Sequence, residues 1–118
     1  MFVQKQKLQS SIGWSCNLTE QELEDPSVTF SVIDDFKNQH MQYISDPIYG
    51  DWSSIRYTLP QMPDFEINSN NEIIRTFYWN DEASMNSAKS IMDALDAQYV
   101  AAGGSIPYVI TTLEEYTI

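Results

Sequence analysis

The sequence predicts an α+β fold in which one four-stranded antiparallel sheet carries two helices on one face. Three observations predict it. The stretch Glu72 to Leu113 reads as a strand, a capped helix and a second strand. A further helix-forming stretch lies upstream, between runs of alternating apolar residues. The chain is 118 residues long, the size of one domain with a core of its own, so a single domain spanning 1–118 is expected.

At the N-terminus, Phe2 to Leu8 alternate loosely and Ile12 to Cys16 form an apolar patch around Gly13, and at least one strand is expected here. Leu18 to Asp25 is acidic and is closed by Pro26, which predicts an exposed loop or short helical turn. From Ser27 two periods compete. Val28, Phe30 and Val32 alternate like a strand, whereas Val32 or Ile33, Phe36, His40 and Tyr43 or Ile44 follow helical spacing. A helix over Phe30 to Ile44 is predicted, with Asp34 and Asp35 suiting the dipole near its start and Asp46-Pro47 stopping it. Trp52 to Leu59 sets Ile55, Tyr57 and Leu59 against Ser54, Arg56 and Thr58, the alternation of a half-buried strand. Pro60, Pro63 and Asn68 to Asn71 then read as a connecting loop.

Ile73 to Trp79 is almost entirely β-branched or aromatic, so both faces of this strand are expected to be buried. Asn80 offers a capping oxygen, and Asp81 and Glu82 place negative charge in the first turn of the next helix. Its apolar face is Met85, Ala88, Ile91 or Met92, Leu95, Tyr99 and Ala102, with Asn86, Lys89, Asp93 and Asp96 mostly on the other side. Gly103 and Gly104 end that helix, and Ile106 to Leu113 forms a last strand with Pro107 near its start. The order strand, helix, strand, strand, helix, strand is the split β-α-β, or ferredoxin-like βαββαβ, arrangement. Its uncovered sheet face is expected to be apolar, and to be covered by a second subunit or an extra N-terminal strand.

The stretch Phe77-Tyr78-Trp79-Asn80-Asp81-Glu82-Ala83, followed by an amphipathic helix, resembles the aromatic-strand-to-acidic-helix junction of the dimeric α+β barrel proteins, including antibiotic-biosynthesis-monooxygenase-like ones. The resemblance covers this strand and the helix after it. It implies two sheets packed face to face in a homodimer, sometimes with a small-molecule cavity between helices and sheet. No active-site set comes with it, and the long acidic lead-in to the first helix departs from the family's pattern.

Seventeen acidic residues against six basic ones give a formal net charge of -11. Such a surface repels phosphate backbones, which excludes nucleic acid as the expected partner. The lone Cys16 forms no internal disulfide and fits a reducing compartment. No run is long and apolar enough to cross a bilayer, and a soluble cytoplasmic protein with no membrane partner is expected.

Little in the chain points to catalysis. His40 is the only histidine, and its spacing from Phe36 makes it a core-edge residue. Asp64, Glu66, Asn68 and Asn70 alternate like calcium ligands, but Ser69 and Arg75 stand where that loop needs glycine and an acid. Gly103-Gly104 follows a helix and is a C-cap, not a phosphate cradle. No catalytic residue, metal ligand or cofactor is therefore predicted.

The preferred expectation is a non-catalytic acidic interaction protein, phage-accessory-like in character. It would bind, and in one version inhibit, a protein partner with a basic surface through Glu20, Glu22, Glu24, Asp25, Asp93 and Asp96. One alternative is a small-ligand binder or monooxygenase-like enzyme of the dimeric barrel type, with His40, Tyr57 and Trp79 lining a pocket. Another is a structural component of a larger assembly.

Overall fold

In the computed structural model, residues 1–10, 18–56, 58–70 and 72–118 are described. The chain runs through β1 (Phe2–Ser10), α1 (Glu20–Leu23), α2 (Pro26–Ile44), a 3-10 turn (Pro47–Tyr49), α3 (Gly50–Arg56), β2 (Gln61–Ile67), β3 (Ile73–Trp79), α4 (Glu82–Ala101) and β4 (Tyr108–Thr117). The strands make one antiparallel sheet in the order β2-β3-β1-β4, so the molecule is an α+β protein with a four-stranded antiparallel sheet. Its extents of 40 × 39 × 20 Å suit a sheet with one layer of helices.

The pairing register sorts the strand side chains into two faces, because successive residues point to opposite sides. Phe2 pairs with Trp79, Gln4 with Phe77, Gln6 with Arg75 and Leu8 with Ile73, all on one face. Phe65 and Ile67 of β2 and Tyr108, Ile110 and Thr112 of β4 fall in line with them. Phe36, Tyr43 and Ile44 of α2 and Met85, Ala88 and Leu95 of α4 join this face in one hydrophobic cluster. Val3, Ile74 and Thr76 lie on the opposite face and are buried too, so β3 is enclosed on both sides, as its composition predicts.

Three local expectations need correction. Pro26 opens α2 and does not close the acidic segment, because a proline in the first turn has no N–H to forfeit. The Asp25 carboxylate caps that turn, accepting from the Ser27 amide at 3.0 Å and from its hydroxyl at 2.7 Å, which holds its pKa below the usual range. Helix α4 is capped one residue later than expected. Asp81 accepts from the Ser84 amide at 2.7 Å, while Asn80 Nδ2 donates to the Thr58 carbonyl.

The third correction is the largest. The segment expected as a strand from Trp52 lies in α3, which follows the 3-10 turn, and β2 lies instead at Gln61–Ile67, in the expected loop. Trp52, Ile55 and Leu59 carry helical spacing as well as alternation, and the Asp46 carboxylate, accepting from Ile48 N at 3.0 Å, starts the turn. Pro63 is tolerated because β2 is an edge strand and its register shifts between Gln61 and Asp64. Asn68 Oδ1 then accepts from the amides of Asn70 and Glu72, turning the chain into β3.

The remaining elements need smaller adjustments. The acidic segment holds one helical turn, α1, opened by a capping box between Thr19 and Glu22. β4 runs four residues past Leu113, to Thr117. Gly103, at φ +94°, ends α4 as expected. Gly104 has a different role, since a Cβ there would lie 2.4 Å from Tyr99 Cε1. The apolar patch Ile12 to Cys16 and the pocket candidate Tyr57 fall outside the described residues.

Candidate functional site

Between the helices and the sheet, the layer is packed differently at its two ends. Around Leu8, Ile73 and Phe36 it is dry core, with all three side chains at or below 1% exposure. Towards β4 it opens into a cavity of about 490 Å³, a volume typical of small-molecule sites. The sheet supplies its floor through Gln4, Gln6, Arg75, Phe77, Trp79 and Tyr108. His40 and Tyr43 of α2, Trp52 of α3, and Met85, Ala88, Met92 and Asp96 of α4 line the sides. Exposed Lys89, Asp93, Ile110 and Thr112 mark its mouth, between α4 and β4.

The floor is polar although it is buried. Gln4, Gln6 and Arg75 occupy inward positions between Phe2 and Leu8 on β1 and between Ile73 and Phe77 on β3. Arg75 is 4% exposed, and its Nε donates to Gln6 Oε1 at 2.9 Å. Gln6 Nε2 donates to Gln4 Oε1 at 3.4 Å, and Trp79 Nε1 donates to the same oxygen at 3.2 Å. Arginine and tryptophan side chains only donate, so both glutamines must turn their oxygens towards these partners. The Arg75 guanidinium lies 4.5 Å above the Phe77 ring and 5.7 Å from the Tyr108 ring. Burial lowers its pKa, opposed by the nearby Tyr108 oxygen. Among the described residues, no carboxylate forms an ion pair with it.

A second polar set stands on the helix side. The hydroxyls of Tyr43 and Tyr49 both donate to Asp96 Oδ1, the latter at 2.7 Å. Burial, and then the Asp96 hydrogen bond, push the Tyr43 pKa well above the usual phenol range, and burial does the same for Tyr49. His40 Nδ1 and the Tyr108 hydroxyl are hydrogen-bonded at 2.5 Å. Burial raises the Tyr108 pKa against the pull of Arg75. The His40–Tyr108 pair reaches the cavity wall. Among the described residues, no group of three or more His, Cys, Asp or Glu is placed to hold a metal ion.

Two of the three sequence-derived pocket residues, His40 and Trp79, line this cavity. The acidic residues lie on two separate elements of the chain. Glu20, Glu22, Glu24 and Asp25 lie on or beside α1, with Glu22 and Asp25 used as caps. Asp93 pairs with Lys89 at 2.8 Å on the exposed side of α4, while Asp96 is half-buried against the two tyrosines. A smaller cavity of about 180 Å³ lies beyond Trp79 and Ala88, against Ile55, Leu59 and Ile91. The residues missed as a site are Gln4, Gln6 and Arg75. Their signal was present in the sequence as three polar side chains on the inward parity of two otherwise apolar strands.

No helix among the described residues is long and apolar enough to cross a membrane. No family model, curated protein or solved structure matches this chain.

Proposed function

We propose that this protein binds a small organic molecule between the helices and the sheet of a ferredoxin-like βαββαβ fold, with α2 and α4 as the two helices covering one face. One observation carries the reading. The cavity of about 490 Å³ is floored by buried polar side chains where a purely structural layer would place aliphatic ones. Buried polar groups cost stability unless they are paired, and their persistence at one end of the layer is what a binding site requires.

The test uses Nile red, a neutral dye whose fluorescence rises in apolar surroundings. Saturable one-to-one binding is expected, and it is lost when Ala88→Leu or Met92→Trp fills the cavity from α4. Both variants are checked for an intact fold by near-ultraviolet circular dichroism. Dye binding that neither substitution alters in the folded variants would place the dye elsewhere and contradict the reading.

A second reading rests on a different surface. β4 is an edge strand with Val109, Ile110, Leu113 and Tyr116 exposed, and long apolar edges invite another chain. We propose a second copy of this chain as the occupant, giving a cytoplasmic homodimer of the barrel type. The acidic α1 segment is then left outward for a basic protein partner. Light scattering over a concentration series checks it, with a dimer mass expected and a monomer mass at every concentration against it.

A further inference from the structure

The hydrogen-bond arithmetic of the cavity floor is one-sided. The oxygens of Gln4 and Gln6 are already occupied by Trp79, Gln6 and Arg75, so this network offers the cavity donors and few acceptors. Arg75 brings the N–H groups of a buried guanidinium that are not turned to Gln6 or to the Tyr108 oxygen, and it has no carboxylate beside it among the described residues. Trp52 supplies an independent observation. It is 6% exposed, it lines the same cavity, and its buried Nε1 has no hydrogen-bond acceptor among the described residues. Its ring meets Phe77 edge-on at 6.5 Å, the same ring that carries Arg75 at 4.5 Å, so both donors flank one aromatic side chain. A buried cation and a buried orphan N–H are each costly, and one acceptor-rich guest satisfies both.

We infer that the ligand of this cavity is an aromatic carboxylate, with its anion on Arg75 and its ring among Trp52, Phe77 and Trp79. This rests on the small-molecule reading above. A guanidinium fits carboxylate and phosphate oxygens alike, but the charge count separates them. One cation faces the cavity floor while the Asp96 carboxylate lines its side, in a protein of net charge -11, and that balance suits a monoanion over a phosphate dianion. The Lys89–Asp93 pair at the mouth is internally neutralised and adds no second anion site. The aromatic body follows from the walls, where tilted and edge-on rings give large contact area at low entropic cost.

The experiment titrates the protein with naphthoate, benzoate and indole acetate, each beside its neutral amide, while following the indole N–H resonances by NMR. Trp52→Phe assigns the Trp52 signal. At least one acid is expected to bind about tenfold or more tightly than its amide, the usual reach of a charge-assisted hydrogen bond, and to move the Trp52 indole proton downfield. In Arg75→Met, and in the milder Arg75→Gln, that preference is expected to fall to about parity while amide binding persists. Inorganic phosphate, as the competing anion, is expected not to displace the acid. Equal binding of acids and amides to the native protein overturns the inference and leaves the small-molecule reading intact. Displacement by phosphate overturns the choice of carboxylate. Absence of binding by every acid and amide overturns the aromatic carboxylate, and Nile red then tells whether the cavity reading fails with it.

Discussion

The two ends of the helix–sheet layer use the same strands for opposite purposes. At one end Leu8 pairs with Ile73 under Phe36, and nothing polar intervenes. Two residues along each strand, Gln6 pairs with Arg75, and the layer opens into the cavity. The β1–β3 pairing stays in register through both ends, whereas the β1–β4 register shifts between Lys5 and Gln6, so the difference lies in the side chains and in that irregularity at the polar end. The apolar end supplies stability through close packing, and the polar end retains groups that a stability-driven core would replace.

The largest effect that would break this comparison is at the apolar end. Phe36 is fully buried and rings from Phe65 and Tyr108 pack on it at 5.5 and 5.3 Å. Phe36→Ala is expected to cost about 3–5 kcal/mol in urea unfolding. A loss of a few tenths would mean that this end is not the stable core.

Alkaline titration sharpens the comparison next. Tyr43, Tyr49 and Tyr108 all have folded pKa values raised above the ordinary 10.0, chiefly by burial. Below pH 10 both states keep these protons, and the folded state has its full stability. As pH rises past 10 the unfolded chain releases protons that the folded protein retains, so stability falls by up to about 1.4 kcal/mol per pH unit for each tyrosine. Denaturant midpoints measured from pH 8 to 11 check this, and Tyr43→Phe is expected to flatten the fall. A midpoint that stays level through pH 11 would contradict the burial of these hydroxyls.

The smallest effect has the opposite sign. Arg75→Met removes a buried cation without a counter-ion, and although it leaves Gln6 Oε1 without its donor, the free protein is expected to gain about 1 kcal/mol. A lowered midpoint would make Arg75 a structural residue and erase the contrast between the two ends.

Much of this was legible in the sequence, and the illegible parts have physical reasons. β3 and α4 read correctly because β-branched and aromatic runs and a long three-and-four periodicity each have one interpretation. Trp52 to Leu59 misled because its apolar residues satisfy both periods, and only the Asp46 cap and the later hairpin at Asn68 decide between them. Pro63 hid β2, since a proline is compatible with a strand only at a sheet edge, and edge position is a property of the assembled sheet. His40 and Trp79 were recognisable as pocket candidates from residue type. Gln4, Gln6 and Arg75 come together from strands nearly 70 residues apart in the chain, |i−j| = 69 for the Arg75–Gln6 bond, and their convergence depends on register.

The most direct test of the contrast is an NMR perturbation map of the protein saturated with naphthoate. Shifts are expected in the side-chain amides of Gln4 and Gln6, the Arg75 Nε–H and the Trp52 and Trp79 indoles, with Leu8 and Ile73 unmoved. Perturbations confined to the outer residues of β4, such as Thr111 and Tyr116, with the floor silent, would show that the polar end of the layer is not a binding site.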